Sequence, residues 1–119
     1  MGSMINGYCK CGYVSESIPL GGGMSNYQIV CFFPHYCQDC KILFNENIYD
    51  ENIVCKKCKS SNIIAYDDKR ACQFMEHIVF EWNTKDKIGR DVKLSAKNNL
   101  CPKCRNYSLN FNGGLVLWD

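Results

Sequence analysis

Four pairs of closely spaced cysteines constrain this chain more than any other feature: Cys9-Lys-Cys11, Cys37-Gln-Asp-Cys40, Cys55-Lys-Lys-Cys58 and Cys101-Pro-Lys-Cys104. Each pair can place two sulfurs on one ion from a single turn of chain. Ten cysteines in 119 residues mean either a disulfide scaffold or metal, and tight pairing without a secretion signal favours metal. Cys31 and Cys72 stand apart from the pairs. Four thiolates fill the tetrahedral shell of zinc and leave no position for a reacting water. The expectation is therefore two structural Zn2+ per chain, with Cys9, Cys11, Cys37, Cys40, Cys55, Cys58, Cys101 and Cys104 as ligands. Iron accepts the same thiolate geometry, and spacing does not separate the two metals.

Two pairs make one site, and three pairings are open. The nested one joins Cys37, Cys40, Cys55 and Cys58 across a short hairpin, and brings Cys9 and Cys11 to Cys101 and Cys104 at the two ends of the chain. Closing the longer loop costs only about 1.7 kcal/mol more in chain entropy, against roughly 10 to 16 kcal/mol apparent for a structural zinc. Sequential and crossed pairings also survive; loop closure and the hairpin pattern favour the nested one.

About a quarter of the chain is Leu, Ile, Val or Phe, enough for a core. No apolar run approaches the roughly 18 residues of a membrane helix. Met1-Gly2-Ser3 ahead of Met4 reads as a leader added for expression, so the natural start is expected at Met4 and residues 4–119 as a single zinc-binding domain. The formal charge of +2 counts cysteines as neutral; eight thiolates and two zinc ions turn it to about −2. Net charge thus gives no general attraction to nucleic acid, although local patches remain open.

Along the chain, residues 5–14 read as a short strand broken by the first metal turn, with Gly12 fitted to its backbone. Pro19 to Gly23 reads as a flexible loop, without the spacing of a phosphate cradle. Residues 27–33 read as a strand stopped by Pro34. Residues 41–44 and 52–54 read as a two-stranded ribbon around the turn-prone residues 45–51. From Asp68 to Trp82 the apolar residues Ala71, Phe74, Met75, Ile78, Val79 and Trp82 recur at helical spacing, which predicts one helix, with a strand over 77–82 as the rival. Residues 84–90 read as a turn, 92–96 as a strand, and 108–111 and 115–118 as two strands around Gly113-Gly114. The fold class expected is α+β and β-rich: short antiparallel strands, one helix and two four-cysteine zinc sites.

The pairs Cys37-x-x-Cys40 and Cys55-x-x-Cys58 around a short hairpin resemble the zinc ribbon and rubredoxin-like folds, and Cys101-Pro-Lys-Cys104 is similar to their second knuckle. The resemblance covers about residues 36–60 and implies a zinc ribbon hairpin there. Residues 5–14 and 99–119 are then joined by the second site. The outer pair departs from the usual pattern, since Cys9-x-Cys11 is one residue short and no glycine follows Cys104. The stretch Cys9 to Gly23, with Leu109-Asn-Phe and Trp118-Asp119, is also similar to small uncharacterised bacterial zinc-ribbon proteins, a likeness that carries no function.

Other residues offer weaker constellations. Cys31, His35, Cys72 and His77 have spacings that suit a third, mixed zinc site, against which stands the plainer reading of two buried cysteines and two surface histidines. The His-x-Glu pattern of zinc deaminases and the His-Glu-x-x-His of metalloproteases are absent, so no catalytic residue is assigned. Lys10, Lys41, Lys56, Lys57, Lys59, Lys103 and Arg105 flank the cysteine pairs, where cations compensate the −2 charge of a zinc tetrathiolate.

Three function classes follow. A non-catalytic module mediating protein–protein interaction leads. A nucleic-acid binder using Lys56, Lys57, Lys59 and Lys103 with Tyr36, Tyr49, Tyr66 or Trp118 as stacking groups comes second. A redox or cysteine-dependent enzyme comes third. A cytoplasmic setting is expected, which an effector acting in a host cytosol shares; no small-molecule substrate or membrane partner is evident.

Overall fold

The computed structural model describes the backbone of residues 2–15, 17–22 and 30–118, and the side chains of 4–15, 17–22 and 30–112. In the first strand, β1 (Gly2–Cys9), Ile5, Gly7 and Cys9 are buried while Asn6 and Tyr8 are exposed, the period-two pattern of a half-covered strand. β2 (Ile18–Gly21) returns antiparallel on one edge of β1. On the other edge lies the last strand of the chain, running to Trp118 and pairing with β1 from Gly2↔Trp118 to Cys9↔Leu109. Gly2 and Ser3, read from sequence as a leader, thus extend β1.

β3 (Phe32–Cys37) and β4 (Ile42–Asn47) form a hairpin with Cys37↔Ile42 as its last pair. β5 (Ile63–Ala65) adds to the free edge of β3, and β2 reaches β3 through Gly21↔Phe32. β6 (Ile78–Trp82) and β7 (Val92–Ser95) form a separate antiparallel pair, joined by the single helical turn α1 (Lys85–Ile88). β8 (Leu109–Trp118) completes the order β4-β3-β2-β1-β8, with β5 beside β3. Ile5, Leu20, Phe33, Tyr66, Leu94 and Phe111 make the centre of the core. No helix among the described residues is long and apolar enough to cross a membrane.

The molecule is strand-rich with almost no helix, and several expectations change. Residues 68–82 are not a helix: turns carry the chain to His77, which sits at φ 57°, and β6 follows. The helical spacing was coincidental, since Phe74, Met75 and Ile78 are exposed and, of the six residues at that spacing, only Ala71 is buried. The β-branched and aromatic residues of 78–82 obtain better cover by pairing with β7. Among the described residues the one helical turn, α1, forms where a plain turn was expected, closed by Gly89 at φ 84°.

Residues 18–21 form a strand instead of a loop, because β1 supplies a partner and Leu20 a core side chain. Gly21, at φ 76°, lies under the Trp82 ring, where a Cβ would come within 2.9 Å of it. The strand expected over 27–33 begins only at Phe32 and runs through Pro34; residues 27–29 lie outside the described set. Pro34 is tolerated because its carbonyl still accepts from Tyr66 N–H at 3.1 Å, so only the donor half of that bonded pair is lost. Residues 52–54 are not a strand: β4 takes β3 as partner, and the ribbon is β4-β3-β5. The two strands expected after the last cysteine are the single strand β8, which runs through Gly113-Gly114.

Candidate metal centres

The inner cluster grows out of the β3–β4 hairpin. Cys37 ends β3, the turn carries Cys40, and Lys41 N–H closes back on Cys37 O at 2.9 Å. The second pair repeats this turn: Lys59 N–H meets Cys55 O at 3.0 Å and Cys55 N–H meets Ser60 O at 2.8 Å. The two turns are laced together by Gln38 N–H to Asn62 O at 3.0 Å and by Asp39 accepting from the Ser60 hydroxyl. β5 then leaves the second turn along β3. Both cysteine pairs therefore belong to one three-stranded unit.

The outer cluster is set by β1 and β8. Their ladder ends at Cys9↔Leu109, which delivers Cys9 to the end of the sheet where the last cysteine pair lies. Gly12 N–H bonds Cys9 O at 2.9 Å with Gly12 at φ 102°, so the short Cys-x-Cys turn depends on a residue without a Cβ. Opposite it, Arg105 N–H bonds Cys101 O at 2.8 Å. Lys41, Lys59 and Arg105 follow the second cysteine of their pairs in the left-handed region, at φ 59°, 62° and 59°. At these three pairs the position that usually falls to glycine is taken by cations, while Gly12 holds it at the first.

The sulfurs of Cys9, Cys11, Cys101 and Cys104 all lie within 4.8 Å of one another, as do those of Cys37, Cys40, Cys55 and Cys58. The arrangement is the nested one. The shorter contacts are Cys9–Cys104 at 3.7 Å and Cys11–Cys101 at 3.6 Å in the outer cluster, with Cys37–Cys58 at 3.6 Å and Cys40–Cys55 at 3.3 Å in the inner one. A tetrahedral ion with metal–sulfur bonds of about 2.3 Å separates its sulfurs by about 3.8 Å, whereas a disulfide brings them to about 2.0 Å. The thiols fit an ion and form no disulfide.

Protonation supports the same fit. Burial opposes ionisation of Cys55, but N–H groups of Cys58 and Lys57 aimed at its sulfur, at 3.4 and 3.3 Å, bring the thiol down to about 6. Its neighbour Cys40 is pushed up to about 12 by burial and by the surrounding thiols. In the outer cluster the Asn106 backbone N–H leads the groups that bring Cys104 down to about 6, while burial drives Cys101 up to about 12. Four thiols so close cannot all ionise alone; a divalent cation removes that conflict and converts all four to ligands. Each group could hold one metal ion. Both clusters are structural rather than catalytic in kind, since four thiolates leave the ion no open position.

The residues considered for a third site do not assemble among the described residues. Cys31 is fully buried in the core, and the Cys72 sulfur lies 3.4 Å from Phe74 O. His35, expected near the surface, is buried with Nδ1 2.7 Å from Phe33 O, while His77 is exposed. One contributor escaped the sequence reading: Ser108 Oγ lies 3.1 Å from the Cys9 sulfur and 3.7 Å from that of Cys104. No spacing rule signals it, because it reaches Cys9 only through the β1–β8 register.

Comparison with protein-family models, with curated proteins and with solved structures yields no match for this chain.

Proposed function

We propose that this chain is a zinc-ribbon-like, non-catalytic module whose two structural zinc ions hold the fold and whose surface docks on a partner protein. The observation that carries the metal half is the presence of two four-sulfur groups with spacings suited to a tetrahedral thiolate shell. Zinc is preferred because it favours four thiolates in a tetrahedron and is redox-inert. Free thiolate ligands suit a reducing compartment such as the cytoplasm. Val14, Phe74, Met75 and Ile78 support docking on a protein, since these apolar side chains are 40 to 71% exposed among the described residues.

The nucleic-acid reading has one observation in its favour. A hollow of about 310 Å³ between the two clusters is bordered by Tyr13, Lys41 and Lys103, a ring and two cations of the kind that hold a base and its phosphates. Against it, the Lys56 ammonium donates to Asn45 O at 3.0 Å, which turns this lysine inward to its own fold.

A single experiment tests the structural role of the metal. Chelation should collapse the dispersion of the amide NMR spectrum, and two equivalents of zinc should restore it. A spectrum unchanged by complete metal removal would refute the proposal. Salt then separates the partner classes, because nucleic-acid affinity falls steeply with ionic strength.

A further inference from the structure

β4 is the end strand of the larger sheet, with β3 on one side only. The direction of its backbone groups follows from β3. Pro34, opposite Asn45, turns its carbonyl away from β4 to accept from Tyr66 N–H at 3.1 Å, whereas Cys31 O accepts from Ile48 N–H at 2.8 Å. Pro34↔Asn45 is therefore a pair without ladder bonds, and by the alternation of an antiparallel ladder the N–H and C=O groups of Leu43, Asn45 and Asn47 point to the open edge. Asn47 N–H is taken by Glu46 Oε1 and Asn45 O by Lys56 Nζ, both at 3.0 Å. Leu43 N–H, Leu43 O and Asn45 N–H have no partner among the described residues.

Two hollows flank this edge and meet at Tyr13 and Leu43. One, of about 340 Å³, lies between β4 and the connection from β1 to β2. In its wall Asn45 Oδ1 is buried without a hydrogen-bond partner, while Nδ2 donates to Pro19 O at 3.0 Å. The other, of about 310 Å³, is the one bordered by Lys41 and Lys103, neither of which forms an ion pair among the described residues. No acidic side chain among the described residues lines either hollow. The two make one groove along the strand edge, uncharged beside Asn45 and positive beside Lys41.

We propose that this groove takes an extended segment of a partner protein as an added antiparallel strand on β4, with a carboxylate near the C-terminal end of the segment. A residue set opposite Leu43 in an antiparallel strand exchanges both open bonds with it. β4 runs from the Lys41 end to the Asn45 end, so the added strand runs the other way and brings its later residues to Lys41 and Lys103. Side chains opposite Asn45 and Leu43 share the face of the hollows, so every second residue of the segment enters the groove. A nucleotide would use the ring and the cations but leave the strand edge unpaired. The proposal rests on the docking reading above and names what docks. Lys56 guards the edge, as lysines do on exposed end strands, and its bond to Asn45 O opens when the segment pairs past Leu43.

The test uses the full zinc-loaded chain, its zinc content measured on the same sample. The probe is the peptide Val-Thr-Val-Thr-Val-Asp, acetylated and amidated at its ends, whose threonines and aspartate share one face. Its binding should move the amide protons of Leu43 and Asn45 downfield and give cross-strand NOEs to β4. Methylation of the backbone nitrogen of its second threonine, the residue set opposite Leu43, should weaken binding about tenfold. Asparagine in place of its aspartate should weaken it about two- to fivefold. Lys56→Met, at an exposed position, should tighten it about two- to fivefold by freeing Asn45 O. Equal binding of the methylated peptide, or weaker binding to Lys56→Met, would overturn the added strand. No binding by a chain that holds both zinc ions would also overturn it and leave docking through another face standing. Hexathymidylate binding more tightly than the peptide would overturn this proposal and the docking reading together.

Discussion

Ser108 holds its hydroxyl 3.1 Å from the sulfur of Cys9, 99 residues earlier in the chain. The same oxygen lies 3.7 Å from Cys104, so one O–H can stabilise thiolates contributed by both ends of the protein. The inner cluster has no such hydroxyl among the described contacts of its sulfurs and is held by backbone N–H groups at Cys37 and Cys55, from Cys40, Lys57 and Cys58, as the Asn106 N–H also serves Cys104 in the outer one. Groups that hydrogen-bond metal ligands raise affinity by holding the ligands charged and in place. Ser108→Ala should lower zinc affinity about tenfold at the outer cluster alone. Competition with a chelator measures this; equal weakening at both clusters would contradict it.

Tyr66 ties the two halves together. Fully buried, it follows β5, packs edge-on against Tyr36 and Phe111, and donates its hydroxyl to Leu100 O at 2.8 Å, one residue before Cys101. Tyr66→Phe would leave that carbonyl short of a partner and should cost about 1 to 3 kcal/mol. Denaturant unfolding of the zinc-loaded protein checks this, and an unchanged midpoint would show that the bond carries no weight.

Lys59 occupies the left-handed region at φ 62° with its side chain exposed. A side chain there costs roughly 1 to 2 kcal/mol relative to glycine, part of which is offset by the greater freedom of glycine in the unfolded chain. Lys59→Gly should therefore stabilise the folded protein by up to about 1 kcal/mol. A loss of stability would mean that the lysine charge beside the cluster outweighs the backbone strain.

Cys31 is fully buried, and burial pushes its thiol from the ordinary value of 9.0 up to about 12. It should resist alkylation in the zinc-loaded protein at pH 8, and Cys31→Ala should keep both metals. The folded thiol holds its proton where the unfolded one has lost it. The stability this contributes is therefore fully present below about pH 9 and is lost as pH rises toward 12. Urea midpoints should accordingly fall more steeply over that range for the parent than for Cys31→Ala. Parallel curves would contradict the assignment.

The metal chemistry was legible in the sequence because each Cys-x-x-Cys or Cys-x-Cys pair encodes its own turn, and chain entropy hardly penalises the long closure between Cys9 and Cys104. The strands were less legible. Pro34 reads as a stop, yet it lies at a position where only one bond of the β3–β5 ladder is lost. The 68–82 segment carries a helical period, but the exposure of Phe74 and Met75 shows that β6–β7 pairing decided its course. His35 and Ser108 act through partners distant in sequence or through backbone carbonyls, which residue spacing does not reveal.

Native mass spectrometry with elemental analysis of the purified chain tests the central claim most directly. Two zinc ions per chain are expected, falling to one in Cys55→Ser and remaining two in Cys31→Ala. One metal, iron in place of zinc, or both metals retained in Cys55→Ser would contradict the assignment of two four-thiolate zinc sites.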